Sequence, residues 1–295
     1  MSARARWAAV IVNYEAGRLL VECVTSITDD TSAGDVEIIV VDNGSRDGSV
    51  DALRRAHPDA RVVRAPGNVG YARAANLGIA ATRADVVSVL NADTRFEVGT
   101  AGPLLERLDA EPGLAAVGPR IKNLDGTDYP SARTIPTLAD AVMHGALGLW
   151  WPTNPFTTRY RQLDQAPDRA RPVDWLSGAA IWLRRSALDD VGGWDERYFM
   201  YLEDVDLCWR LRRSGWNVSY EPAGIVWHVQ GATTARRPYR MLAEHHRSAW
   251  RFARRRYTGV RTVVLPFAAV YLAARAVFAM ALHAWHARRN AWGTG

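Results

Sequence analysis

Hydrophobic residues alternate between two periods over the first third of the chain. Residues 7–12 form an unbroken apolar run, as in a strand buried on both faces. Leu19, Leu20, Cys23, Val24 and Ile27 then recur at helical spacing. A second run rich in β-branched side chains covers 36–41, followed by a short helix at 50–56, a strand at 61–65 and an Ala-rich helix at 71–82. Another buried strand at 86–90, a helix at 99–110 and a strand at 114–117 complete the series. Strands alternating with helices predict βαβ units, and so an α/β fold with a mostly parallel sheet flanked by helices. Ligands of such sheets sit beyond the carboxyl ends of the strands. Asn13, Asp42, Asn43, Asn68, Gly70, Asn91 and Asp93 all follow predicted strands and converge on one sheet edge.

The pattern loosens over 122–174, which is rich in Pro, Trp, Tyr and Arg and shows one short helical stretch at 138–147. A segment this long without its own periodicity is commonly functional, and its aromatic content argues against disorder. Order returns at Trp175, with a strand at 178–183, a helix at 186–191, a helix at 203–214 closed by Gly215, and short strands at 217–220 and 225–227.

The last segment changes character. Arginines crowd 236–261, including Arg254-Arg255-Arg256, with Glu244 the only acid, and 262–285 is largely apolar, broken by Pro266, Arg275 and His283. Its length nearly matches the ~20 apolar residues that span a bilayer, but Arg275 in mid-segment makes spanning costly. An Arg-flanked helix or helix pair lying in the membrane interface fits better. The alternative is a helix packed on the preceding domain or in a homodimer interface.

Composition narrows the partners. The 295 residues are 48% hydrophobic and 23% charged, enough for one large core plus an appendage. Net charge is +6, and Lys122 is the only lysine. These arginines adjoin an apolar segment and form no recognised nucleic-acid module, so an anionic membrane or phosphorylated substrate is expected and nucleic acid is not. Cys23 and Cys208 lie in helical patterns without a C-x-x-C spacing and are expected as buried thiols. Residues 1–6 lead straight into a strand pattern, so no signal peptide is expected.

Five motifs carry candidate chemistry. Val40-Val41-Asp42-Asn43-Gly44-Ser45 ends a buried strand; its acid suits a nucleoside or ribose, or closes an Asx-turn. Asn68-Val69-Gly70 opens a helix whose first N–H groups favour anions, unless Asn68 simply caps it. Leu90-Asn91-Ala92-Asp93 offers one carboxylate at a strand end for Mg²⁺ or Mn²⁺; Asn91 stands where a second acid would strengthen the site. Glu203, Asp204 and Asp206 crowd a helix start, where acids compensate the dipole or serve as a general base. His228, in Trp227-His228-Val229-Gln230-Gly231, ends a strand and could complete a metal site beside Asp93.

In this order the segments resemble the family 2 glycosyltransferases of the GT-A fold over roughly residues 7–235, and the resemblance implies that the mostly parallel sheet is mixed. The stretches Tyr129-Pro130-Ser131-Ala132-Arg133, Trp151-Pro152-Thr153-Asn154-Pro155-Phe156, Trp175-Leu176-Ser177-Gly178 and Gly192-Gly193-Trp194-Asp195-Glu196-Arg197 through Tyr201 narrow it further. They are similar to the actinobacterial rhamnosyltransferases of cell-wall linker synthesis, which place L-rhamnose from dTDP-rhamnose onto N-acetylglucosaminyl-diphospho-decaprenol. The resemblance implies a catalytic domain at 1–235, divided into a nucleotide-binding half (1–120) and an acceptor-binding half (121–235), and a membrane-associating helical region at 236–295. It implies Asp42 and the backbone near Asn13 at the nucleoside, with Asn43 beside them. Asn68, Gly70, Asn76 and Asn91 would support the nucleotide sugar. Asp93 and His228 would hold Mg²⁺ or Mn²⁺, Asp204 would be the base assisted by Glu203, and Trp175, Ser177, Gly178 and Tyr201 would line the sugar and acceptor pocket. The expected partners are a dTDP-sugar and a polyprenyl-diphosphate-linked acceptor, met at the cytoplasmic face of the plasma membrane by a peripheral or monotopic protein.

Overall fold

A computed structural model describes residues 6–148, 150–229 and 238–292. The chain begins β1 (Trp7–Asn13), α1 (Leu19–Thr28), β2 (Val36–Asp42), α2 (Ser49–Ala56), β3 (Arg61–Arg64), α3 (Tyr71–Ala80) and β4 (Val86–Asn91). It continues through β5 (Thr94–Phe96), α4 (Ala101–Ala110), β6 (Leu114–Asn123), β7 (Asp128–Tyr129), β8 (Ala132–Arg133), α5 (Leu138–Leu147) and α6 (Pro155–Arg161). Then come β9 (Arg171–Pro172), β10 (Trp175–Leu176), β11 (Ala180–Arg184), α7 (Arg185–Val191), α8 (Glu203–Arg213), β12 (Asn217–His228), α9 (Pro238–Arg256) and α10 (Leu265–Trp292).

One sheet organises the molecule, in the order β3-β2-β1-β4-β11-β6-β12-β5. Its first four strands are parallel. β11 enters antiparallel between β4 and β6, and β12 then runs parallel to β6. The sheet is therefore mixed, with its parallel half formed by the regular βαβ units of the first ninety residues. Alternate residues of β1 feed opposite cores: Ala8, Val10 and Val12 pack toward α3, α7 and α8, while Trp7, Ala9 and Ile11 pack toward α1, α2 and α4. That two-sided burial explains the continuous apolar runs. Each fully buried aliphatic side chain contributes ~1.5–3 kcal/mol to holding the layers together.

The expected short strands at 217–220 and 225–227 are the two ends of β12, joined through a register shift between Glu221 and Ile225. Gly215, at φ 91°, follows α8 in the left-handed conformation that ends it. The loosely patterned middle contains α5 where the sequence predicts it, together with α6 and short strands. Cys23 and Cys208 are buried free thiols.

α9 is tied into the same core. Phe252 joins the buried cluster, the Ser248 hydroxyl donates to the Met200 carbonyl (2.9 Å), and Arg255 pairs with the fully buried Asp206 (2.7 Å). α10 packs along α9 and presents Phe267, Val270 and Val277 outward. Arg275 points the other way, its Nε donating to the Gly145 carbonyl (3.3 Å) and its Nη1 to His246 Nε2 (3.2 Å). The boundary expected at 235–236, and Gln230 and Gly231 of the fifth motif, lie outside the described residues.

Candidate active site

The carboxyl ends of the strands open into a cavity of about 620 Å³, within the range of small-molecule sites. Asp93 and His228 meet on its wall, with His228 Nε2 3.2 Å from Asp93 Oδ1. Backbone pairing brings them together across more than a hundred residues. β12 runs antiparallel to β5 so that His228 lies opposite Thr94, and the Val229 N–H donates to the Asp93 carbonyl (2.9 Å). The Asn91 amide approaches the same imidazole nitrogen at 3.4 Å, and Tyr129 packs edge-on against the ring. His228 Nδ1 is buried without a partner among the described residues.

The acid pair that opens α8 lines the same cavity. Asp204 Oδ2 accepts from the Gly178 N–H (2.9 Å), and its Oδ1 accepts from the Val205 N–H (2.8 Å). Burial raises the Asp204 pKa, opposed by those N–H groups and by Arg133. Glu203 is pushed well above the usual carboxylate range by burial and by Asp204, and its Oε2 is buried without a partner among the described residues. Asp206, third in the run, has a different role: it is clamped by Arg210 and Arg255 at 2.7 Å each and takes no place on the cavity wall. The two residues before α8, Tyr201 (φ 69°) and Leu202 (φ 61°), both hold a left-handed backbone. For bulky side chains this is stored strain, ~1–3 kcal/mol each, of the kind that positions catalytic groups.

Trp175, Ser177 and Gly178 line the same cavity with Tyr201. Tyr71 donates to the Gly178 carbonyl. Its phenol is raised well above its ordinary value by burial and then by Glu203, Asp204 and Asp93. The Asp93 carboxylate with the His228 imidazole beside it is a suitable pair for a divalent cation completed by ligand oxygens. Among the described residues no cluster of three or more His, Cys, Asp or Glu forms a self-sufficient metal cage.

The remaining sequence-predicted residues mostly build loops. Asn43 and Asn68 line the cavity with Gly70, but their polar groups are largely spent on the backbone. Asn43 Oδ1 accepts from the Val69 N–H, Asn68 Oδ1 from the Gly70 N–H, and the Phe199 carbonyl from the Tyr71 N–H. The Val69, Gly70 and Tyr71 N–H groups leading into α3 are thus already occupied. Asn13 and Asp42 lie behind the wall rather than on it. Asn13 Nδ2 donates to the Ser45 and Ser49 hydroxyls, and Asp42 Oδ1 closes the Asx-turn onto the Ser45 N–H. Asn76 is bonded to the Trp194 carbonyl and N–H, 2.9 and 3.0 Å away, and so fastens the segment leading to α8.

Arg133, Tyr129, Tyr160 and His245 also line the cavity and were not singled out from the motifs. The aromatic richness of the middle section was the available signal, and only the resemblance marked Tyr129 through Arg133.

The model of the family described as glycosyl transferase family 2 matches residues 8–192, which span both the Asp93 strand end and the Trp175–Gly178 wall. The chain belongs to glycosyl transferase family 2. This glycosyltransferase is 41% identical to the N-acetylglucosaminyl-diphospho-decaprenol L-rhamnosyltransferase of Mycobacterium tuberculosis H37Rv over 261 residues, 85% of this chain and 84% of the relative. It is 36% identical to the pre-mycofactocin glycosyltransferase of the same organism, over 67% of this chain and 38% of that one. Among solved structures, the mannosyltransferase PcManGT of Pyrobaculum calidifontis, in complex with GDP-Man and Mn²⁺, aligns with a TM-score of 0.59 at 19% identity, covering 97% of this chain and 81% of that one. GalNAc-T7 with UDP, GalNAc and Mn²⁺ aligns at 0.57 with 14% identity over 78% and 44% of the two chains. The fold is GT-A-like, as the sequence resemblance implies.

Proposed function

We propose that this family 2 glycosyltransferase moves L-rhamnose from dTDP-L-rhamnose onto N-acetylglucosaminyl-diphospho-polyprenol with inversion at the anomeric carbon. The supporting observation is one cavity lined by Asp204 and by Asp93 and His228, which lie together; the substrates follow the 41% identical relative. Asp204, held by two backbone N–H groups, takes the proton of the acceptor hydroxyl as its oxygen bonds to the anomeric carbon. The bond from that carbon to the donor's phosphate oxygen breaks, and dTDP leaves with the electron pair. Glu203 sets the charge environment of Asp204. Asp93 and His228 would hold Mg²⁺ or Mn²⁺, which when bound stabilises negative charge on the departing diphosphate. With one carboxylate and one imidazole from the chain, cation affinity depends on the donor's phosphates. Asn43 shapes the nucleotide end from the cavity wall and Asn13 and Asp42 from behind it, and Asn68, Gly70 and Asn76 hold the α3 turn and the strap that packs on it.

Gly259–Leu282 is long and apolar enough to cross a bilayer by length and composition, with mean hydropathy 2.0. The inward turn of Arg275 and the outward apolar face of α10 support a helix lying on the cytoplasmic leaflet instead, where a polyprenyl acceptor resides. The test is incubation with dTDP-rhamnose and a polyprenyl-diphospho-N-acetylglucosamine analogue, with product mass as readout. A product heavier by one rhamnose, formed with Mg²⁺ or Mn²⁺ and abolished by EDTA, is expected. Preferential transfer from a UDP- or GDP-sugar refutes the donor assignment, and full activity in EDTA refutes the metal assignment.

A further inference from the structure

Tyr71, the first residue of α3, holds two loops that are distant in sequence. Its N–H donates to the Phe199 carbonyl (2.8 Å), and its hydroxyl donates to the Gly178 carbonyl. The ring is buried, with Trp194 edge-on against it at 5.7 Å between centres. Trp194 is itself fastened to α3 through Asn76. One helix therefore grips the chain at Gly178, Trp194 and Phe199, and Tyr71 lines the catalytic cavity while doing so.

Gly178 is where this grip meets Asp204. The Gly178 N–H donates to Asp204 Oδ2 at 2.9 Å. The other N–H on Asp204 comes from Val205, its neighbour at the start of α8, and moves with it. Among the described residues, Gly178 thus supplies the hydrogen bond that ties the Asp204 carboxylate to a different part of the fold. A Cβ built on Gly178 would touch Asp204 Cβ at 3.4 Å and Trp194 Cη2 at 3.6 Å, so the glycine lies between the base and the ring on which Tyr71 packs. With no side chain of its own to anchor it, Gly178 is oriented by its backbone bonds: the N–H on Asp204 and the carbonyl on Tyr71. Burial keeps the Tyr71 phenol protonated, and so a donor.

We propose that the Tyr71 hydroxyl is a positioning group for sugar transfer: by holding the Gly178 carbonyl it keeps the Gly178 N–H on Asp204, and so keeps the base in place for the acceptor hydroxyl. The inference rests on the assignment of Asp204 as base and deepens it. It also gives the Asn68-Val69-Gly70 turn a purpose, since a turn whose N–H groups are spent internally presents Tyr71 at the head of α3.

The test is a double-mutant cycle on the full-length protein, Tyr71→Phe against Asp204→Asn, read by single-turnover transfer from dTDP-rhamnose or whichever nucleotide sugar the parent uses. Tyr71→Phe keeps the ring on Trp194 and the N–H on Phe199 and removes one oxygen. It is expected to lower kcat roughly 10–100-fold, as for a small displacement of a reacting group, with acceptor KM and dTDP affinity unchanged. In the Asp204→Asn background the same substitution should cost nothing further, because the group it positions is gone. The acid limb of the kcat profile should move up by roughly one pH unit, because a carboxylate that loses an N–H is protonated more readily. Glu203 and Arg133, which also act on Asp204, are common to parent and variant. Trp194→Phe controls for stability: it removes packing from the same place, leaves the hydroxyl, and should lower Tm without moving the acid limb. All rates are taken below the onset of unfolding of the least stable variant.

Losses that multiply in the double variant, a parent-like kcat in Tyr71→Phe or an unmoved acid limb overturn the proposal and leave Asp204 as the base. A Trp194→Phe profile displaced like that of Tyr71→Phe assigns the effect to packing and overturns it too. Parent-like transfer by Asp204→Asn refutes the base assignment and this inference with it.

Discussion

Gly70→Ala is the substitution whose consequences the structure specifies most closely. Gly70 has φ 89° and ψ 168°, a region essentially restricted to glycine. A Cβ there would meet the Phe199 carbonyl oxygen at 2.6 Å and its Cα at 2.9 Å, both backbone atoms that no rotamer change can move. The Phe199 carbonyl also accepts the Tyr71 N–H at 2.8 Å. Backbone strain of ~1–3 kcal/mol and loss of that hydrogen bond, ~1 kcal/mol, together destabilise by roughly 2–4 kcal/mol. For a domain of this size that lowers Tm by roughly 5–15 °C. The strap pushed away runs through Tyr201 and Leu202 into Glu203 and Asp204, and a shift of about 1 Å in such groups costs on the order of 10²-fold in rate. Thermal unfolding and single-turnover sugar transfer, measured on the same preparation, read the two effects. A Tm within about 2 °C of the parent with unchanged transfer refutes the close-approach argument.

Three other outcomes are expected. Asp204→Asn loses one acceptor facing a backbone N–H but also removes a buried charge, so Tm changes little while transfer falls by ~10²–10⁴; turnover near the parent rate removes Asp204 from the role of base. His245 is pushed down to about 4 by burial, then by His246 and Arg275. The unfolded chain takes up that proton near pH 6.5, so stability present above 6.5 declines as pH falls and is lost below about 4, by up to ~3 kcal/mol. Urea midpoints measured from pH 7 to 4.5 should show this decline, and an unchanged decline in His245→Gln assigns it elsewhere. Val270→Glu with Val277→Glu puts charge on residues that are 72% and 65% exposed on α10; binding to anionic vesicles should drop at least tenfold, and unaltered co-sedimentation excludes this face as the anchor.

The parallel half of the sheet was legible because strands buried on both faces are written as continuous apolar runs, β1 being buried throughout. The strand ends followed directly, and with them Asp93, Asn43 and the Asn68 turn. What escaped has no period. β7, β8, β9 and β10 are two residues each, too short for alternation to register. The rings of Tyr129, Tyr160 and Trp175 come to Arg133 from three separate segments. Only the resemblance marks Asn76; its hydrogen-bond partner, Trp194, is 118 residues away, a contact that no local pattern encodes. Arg275 looked like an obstacle to membrane insertion, and the fold gives it the Gly145 carbonyl and His246 instead.

The anchoring of α9 has a practical side. Trimming the chain before residue 238 to obtain a more tractable soluble enzyme would remove the Arg255 cation from a carboxylate with 0% exposure, the Phe252 side chain from the interior, and the hydroxyl that holds Met200. The safer place to shorten the molecule is the 259–264 turn beyond α9, where Val260 is 92% exposed and none of these ties is cut.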